Sequence, residues 1–291
     1  EGLVMESLGE LGERAIIAEL LAPRYGANGA SFGDDCASIQ VRDNSRYQVM
    51  TTDPCPIPAA SLVGFNDYYY WGWLLATINL SDIAAAGARP EGLLTSLVLP
   101  NNFLVSDFVR MLDGLDECLE VAGCSVLGGN LKEGADIALS ATALGSSDSP
   151  PLGRKGARPG DLVVALGELG NFWAGYLSKS RGLDIDHQVG ELMLRNVRVP
   201  RAKVGLGQAL RIAGIVTACL DNSDGLYPSM IALSSASKVE MLLWLDRWDL
   251  SAEVRDIARL LSVEPQRLAL GWGDWQLLVT VDQARLGELR D

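Results

Sequence analysis

The chain has 291 residues, 48% hydrophobic and 21% charged, with a formal net charge of −13 and a sequence pI near 4.6. That is the composition of a folded protein, and a field of that sign repels nucleic-acid phosphates and anionic lipid, so neither nucleic acid nor membrane is expected as a partner. Anionic small molecules would need metal cations to approach.

A single core stops growing at roughly 250–300 residues, so two lobes are expected. Apolar side chains at Leu8, Leu11, Ala15, Ile16 and Leu20 predict a helix over residues 5–21, stopped by Pro23 and Gly26. "YQVMTTD" alternates like a strand ending at Asp53, and Pro54, Pro56 and Pro58 force a loop after it. From Tyr69 to Ala88 the apolar and alanine content reads as a buried helix; its apolar run, around Trp71 to Leu80, is shorter than the ~18 residues of a membrane span. "GLLTSLVLP" reads as a strand closed by Pro100, and "VSDFVRMLDGLDECLEVAG" as a helix with Ser106 as N-cap and Gly123 at C′. "CSVLGGN" reads as a short strand ending in a tight turn, and "ADIALSATALG" as another strand. Ser, Pro and Gly concentrate in "SSDSPPLGRKGARPGD", the composition of an interdomain connection, which divides the chain into residues 1–148 and 149–291. Beyond it come "DLVVALG", a helix from about Phe172, a long helix after Pro200, "GIVTACLDNSDGL", a helix near Tyr227 to Ser235, and "QLLVTV". That alternation fits an α/β or an α+β lobe.

Cys36, Cys55, Cys118, Cys124 and Cys219 contain no CxxC pair and are odd in number, which fits a reducing, cytoplasmic setting. No charged-then-apolar leader opens the chain, so secretion is not expected; with Glu1 first, the native protein is expected to begin upstream. Aspartates recur where strand signals stop: Asp34 and Asp35 in "FGDDCAS", Asp53 in "TTD", Asp82 in "NLSD", Asp221 and Asp224 in "LDNSDGL". Oxygen ligands of this kind suit hard cations, above all Mg²⁺, whereas one histidine and no cysteine pair disfavour zinc. Each acid alone could be a helix cap or turn residue. Taken together, six acids beside strand ends point to a shared metal and phosphate site. Neither a P-loop nor a G-x-G-x-x-G fingerprint occurs, His187 reads as an exposed loop residue, and "YYYWGW" as packing or a subunit contact, with ligand stacking as the lesser reading.

With "GDDCA", "TTD", "NLSDIAAAGARP", "LGGN", "GRKGARPGD", "DNSDGL" and "GWGDWQLLVTV" in this order, the chain resembles the thiamine-monophosphate kinases and the wider superfamily of aminoimidazole ribonucleotide synthetase and selenophosphate synthetase, over roughly residues 5–281. The resemblance implies a two-lobed α+β fold, with an N-terminal α+β lobe that dimerises through its sheets and a C-terminal α/β lobe. It implies ATP bound with several Mg²⁺ ions by aspartates, phosphoryl transfer to a small-molecule substrate, and a homodimer. It places Asp35, Thr51, Thr52, Asp53, Asp82, Asp221 and Asp224 at metal-binding positions, and Gly129, Arg154 and Ser223 at nucleotide-binding ones. The small residues after Asp82 then let its segment pack tightly beneath the site.

The chain also departs from the family pattern. Asn130 replaces a metal-binding aspartate beside Gly129, and the arginine expected two or three residues on is missing. After "TTD" no histidine occurs, Ala60 lying near its place, and Gly273 replaces the glutamate expected before Asp274. Acceptor contacts are lost while most nucleotide contacts remain, which implies an acceptor other than thiamine phosphate. The alternative is a relative that binds a nucleotide or another small ligand without turnover, favoured by Asn130 and the missing arginine.

Overall fold

Two sheets carry the chain in a computed structural model that describes residues 7–25, 33–41 and 46–289. The first predicted helix is broken into α1 (Leu8–Leu11), α2 (Glu13–Ala15), a π-helical stretch (Ile16–Leu21) and α3 (Ala22–Tyr25). Gly12, at φ 79°, interrupts it. Pro23 does not end it, because the π-helical widening lies directly ahead, where a regular α-helix would bring the proline ring against a carbonyl. Residues 5–6 and Gly26 lie outside the described residues.

The first sheet contains β1 (Ala37–Gln40), β2 (Tyr47–Pro54), β3 (Arg89–Leu99), β4 (Val126–Glu133) and β5 (Ala138–Ser147) in the order β1-β2-β5-β3-β4. All pairs are antiparallel except β3 with β4. Between β2 and β3 lie α4 (Ala59–Leu62) and α5 (Tyr69–Ala85), and α6 (Val105–Ala122) provides the crossover that a parallel β3–β4 pair requires. A Cβ on Gly72 would stand 1.8 Å from the Met111 carbonyl oxygen, and one on Gly114 would stand 1.9 Å from that of Tyr69. Glycine at both positions therefore lets α5 and α6 touch backbone to backbone. Gly123 closes α6 in the left-handed conformation, as its sequence predicts. Ser106 is not the N-cap: Leu104 holds that position, without a side-chain cap. "LGGN" does not turn, because β4 continues through it in register with β3, Gly129 opposite Thr95 and Asn130 opposite Ser96.

In the second half, β6 (Asp161–Leu166), β7 (Val216–Asp221) and β8 (Leu277–Asp282) pair antiparallel in the order β6-β8-β7, the α+β arrangement of the two that the alternation left open. Its helices are α7 (Asn171–Ser180), α8 (His187–Arg198), α9 (Val204–Ala213), α10 (Leu226–Ser237), α11 (Ala252–Leu260) and α12 (Pro265–Ala269). Sequence reading missed α8, α11 and α12. His187 is exposed as expected, but it opens α8, whose cap is the Asp186 carboxylate accepting the N–H groups of Gln188 and Val189. Residues 148–160 form neither helix nor strand.

The core explains how the site is held. Trp73, Leu75, Leu80 and Ile83 of α5 pack with Val49, Leu93 and Ala143 of the first sheet and with Val204, Cys219 and Val279 of the second half. The Trp73 indole and the Thr77 hydroxyl both donate to the Pro200 carbonyl, at 2.6 and 3.0 Å. "YYYWGW" is packing, with Tyr68 edge-on to Phe103 and Tyr69 bonded to Glu117; Tyr70 also reaches the cavity described below. Among the described residues no helix is long and apolar enough to cross a membrane.

Candidate active site

Residues from both halves line a cavity of about 740 Å³. Three carboxylates converge in it, each offering an oxygen within 4.8 Å of the others: Asp35 just before β1, Asp82 and Asp221. They arrive by different local routes. Asp82 belongs to the last turn of α5 and not to a strand end, and it accepts the Thr51 hydroxyl of β2 at 2.6 Å. Asp221 ends β7 and accepts the Ser223 hydroxyl at 2.9 Å. Arg154, from the segment joining the two sheets, holds Asp35 through Nε at 3.0 Å and through Nη2, while its backbone N–H donates to Asp34.

Strand alternation sorts the "TTD" residues. Thr51 turns to Asp82, whereas the Thr52 hydroxyl donates to the Ala141 carbonyl of β5 at 3.0 Å. Thr51, Thr52, Asp53, Asp82, Arg154, Asp221, Ser223 and Asp224 all border the cavity, as do Asp34 and Asp35. Gly129 and Asn130 do not. They lie on β4, exposed at the edge of the first sheet.

Burial raises all three carboxylates above their ordinary range, with Arg154 the counter-charge beside them. Burial pushes Asp35 up to about 7, against the Arg154 guanidinium beside it. Burial raises Asp82 well above the usual carboxylate range, and the charges of Asp221, Asp35 and Asp53 raise it further. Asp221 is also raised by burial, against the Ser81 and Ser223 hydroxyls and the charge of Arg154. Among the described residues Asp35 Oδ2 and Asp221 Oδ2 are buried without a geometrically formed hydrogen bond. Buried polar atoms are ordinarily paired, so unpaired oxygens in an all-oxygen cluster fit the donor set of Mg²⁺.

A different surface completes the cavity: Tyr70, Phe172, Trp272 and Trp275, with Pro56 and Ile57. The Phe172 and Trp272 rings lie 4.9 Å apart. Sequence reading singled out Tyr70 within "YYYWGW" but not Phe172, Trp272 or Trp275, although "GWGDWQ" holds two of them. Gly273, at φ 103°, lies against Phe172, and a Cβ there would come 2.7 Å from the ring. The position excludes a side chain on both counts. Ala60 is fully buried in α4, and its neighbour Ala59 borders the cavity.

Two sheets around an acidic cavity fit a class for which sequence comparison provides a description. Residues 33–147 match the family AIR synthase related protein, N-terminal domain. A thiamine-monophosphate kinase of Pyrococcus abyssi is 30% identical over 261 residues, covering 89% of this chain and 79% of its own length. That of Aquifex aeolicus is 30% identical over 290 residues, covering 99% and 90%. The structure of AaThiL complexed with AMPPCP and TMP superposes with a TM-score of 0.84 at 27% identity, over 97% of this chain and 89% of that one. The chain belongs to the thiamine-monophosphate kinase family.

Proposed function

We propose that this chain transfers the γ-phosphoryl group of ATP, in the presence of Mg²⁺, to a small-molecule acceptor other than thiamine monophosphate. The observation that carries the reading is the convergence of Asp35, Asp82 and Asp221, with buried oxygens lacking partners. These three would hold Mg²⁺, with Thr51, Asp53 and Asp224 alongside. When bound, the ions supply the positive charge that phosphate oxygens need against an acidic surface. Arg154 and Ser223 fix the carboxylates on the nucleotide side. Tyr70, Phe172, Trp272 and Trp275 offer an apolar surface that orients an acceptor and excludes water. Relatives named thiamine-monophosphate kinase, and AaThiL with AMPPCP, support nucleotide use. The buried Ala60 and the constrained Gly273 support a changed acceptor. Calorimetry with ATP, with and without Mg²⁺, tests the metal requirement: binding is expected with Mg²⁺ alone, and equal affinity in EDTA overturns it.

A second reading, nucleotide binding without turnover, is favoured by Asn130, which carries no charge and lies outside the cavity in this chain. Mg²⁺-dependent ATP binding with neither hydrolysis nor transfer to any acceptor would select it. The reading also includes a cytoplasmic homodimer with lobes at 1–148 and 149–291. β4 is an edge strand exposed on both faces, with Leu127 and Leu131 52% and 57% exposed, and a second copy would cover it. Light scattering at micromolar concentration is expected to give a dimer; a monomer overturns that part.

A further inference from the structure

One buried carboxylate stands apart from the acidic cluster. Asp274, 7% exposed, accepts the Gly170 N–H at 2.6 Å with one oxygen and the Phe172 N–H at 2.9 Å with the other. Both bonds fall at the start of α7, where orphan N–H groups and the helix dipole favour an anion. In parallel, the Gln276 side-chain amide donates to the Glu168 carbonyl. Together they join the turn after β6 to the loop before β8.

That junction carries the aromatic side of the cavity. Phe172 belongs to the first segment, and Trp272 and Trp275 belong to the second. Gly273 brings its backbone against the Phe172 ring, and Trp275 is held at φ 52°, a conformation that a bulky residue keeps only when its surroundings impose it. The Phe172 ring is 3% exposed and Trp272 45%, so one is anchored and the other is presented to the cavity.

We propose that Asp274 is a positioning residue for the acceptor side of the cavity: its two backbone bonds fix Phe172, Trp272 and Trp275 as one preorganised wall for a flat, ring-bearing acceptor. This rests on reading the cavity as a phosphoryl-transfer site. A wall already ordered in the free protein spares the acceptor the cost of ordering it, and it holds the ring in one orientation. Burial lifts the Asp274 carboxyl to about 6, against the pull of the Gly170 and Phe172 N–H groups and of the Lys203 ammonium. The other charged group at the junction, Glu168, is bonded to the Asn171 side-chain amide. A protonated Asp274 must donate from one oxygen, and neither N–H can receive that proton. Acidification through that range therefore weakens one of the two backbone bonds, because a protonated carboxyl oxygen is the poorer acceptor.

Acrylamide quenching of tryptophan emission, compared between the full chain and its Trp272→Phe variant, isolates the Trp272 contribution. Asp274→Asn, which sets an amide N–H against a backbone donor, is expected to raise that contribution's quenching constant by at least about two-fold, the scale of one lost hydrogen bond loosening the wall. ATP affinity in Mg²⁺ and cooperative unfolding should be retained. In the unmodified protein the same contribution is expected to rise as pH falls through about 6. In a folded Asp274→Asn protein this pH step should vanish. Unchanged quenching in that folded variant overturns the proposal; if the variant does not fold, a flat pH series in the unmodified protein overturns it and a step supports it. Failure of the unmodified protein to bind Mg²⁺ and ATP would instead overturn the phosphoryl-transfer reading and leave the junction standing.

Discussion

Asp221 and Asp274 are both buried aspartates beside β-strands of the same small sheet, yet their oxygens are treated in opposite ways. At Asp274 both oxygens are filled by backbone N–H groups, and the carboxylate is a closed unit. At Asp221 one oxygen accepts the Ser223 hydroxyl, the other has no geometrically formed bond among the described residues and only the Ser81 hydroxyl near it, and Asp35 and Asp82 crowd it. The first arrangement fixes a shape; the second leaves coordination capacity unused. One residue type thus takes two roles, and what separates them is the census of donors around each oxygen.

The largest expected effect falls on the aromatic side. On the proposed reading, thiamine monophosphate should be turned over less efficiently than an acceptor that fits by roughly 5-fold to 10⁴-fold, the scale of two polar contacts of roughly 0.5–3 kcal/mol each that Ala60 and Gly273 would not make. Steady-state kinetics checks this, and an efficiency in the ordinary enzyme range would show that other residues have taken over those contacts.

Next in size, Asp53→Asn and Asp82→Asn should each weaken Mg²⁺-dependent ATP binding by about 10-fold or more, the scale of losing a charge-assisted contact. Calorimetry measures it, with Asp274→Asn as the contrasting case, since its carboxylate is closed to cations. If Asp274→Asn weakened Mg²⁺-dependent binding as much as Asp82→Asn, the distinction between the two kinds of carboxylate would collapse.

The acidic cluster also predicts how stability responds to pH and to Mg²⁺. Asp35, Asp82 and Asp221 have raised values in the folded state, so the fold binds more protons than the unfolded chain, and their contribution is fully present below the ordinary aspartate range. It is lost as pH rises, for Asp35 through about 7. Melting in EDTA should therefore weaken from pH 5 to pH 8, and Mg²⁺ should restore stability mainly at the upper end. A Mg²⁺ effect of equal size at both ends would contradict the cluster as a cation site. The smallest effect is a substitution at Ser106: changed to Ala it should alter stability by no more than about 0.5 kcal/mol, whereas Ser251→Ala, which removes a side-chain bond to the Val254 N–H, should cost about 1 kcal/mol. Paired thermal melts of the two variants decide it.

Much of this was legible in the sequence, and the failures are of one kind. β2, α5, β3, α6 and β5 follow from period and punctuation, and Asp35, Asp53, Asp82, Asp221 and Asp224 meet at one cavity as their shared chemistry suggested. The helix predicted over Tyr69 to Ala88 already contained Asp82, yet that acid was grouped with the strand ends, because α5 is buried around its circumference and shows no polar face to mark it. β4 was cut short because its glycines resembled a turn, while parallel pairing with β3, a contact distant in sequence, keeps them extended. α8 was overlooked although it carries both a cap, Asp186, and an amphipathic repeat whose Met193 and Val197, four residues apart, are buried. The aromatic wall was not anticipated, since it depends on Asp274 joining segments about a hundred residues apart.

α5 has a mechanical consequence. A helix clasped by the first sheet on one flank and by Pro200, Val204 and Val279 on another has no free face along which to slide. Asp82, in its last turn, has the small positional noise of the interior, whereas Asp35 hangs from a short segment before an edge strand and is steadied by Arg154. The cluster thus pairs a carboxylate set by helix packing with one set by an ion pair, so Arg154→Ala should disturb Asp35 while Asp82 stays in place.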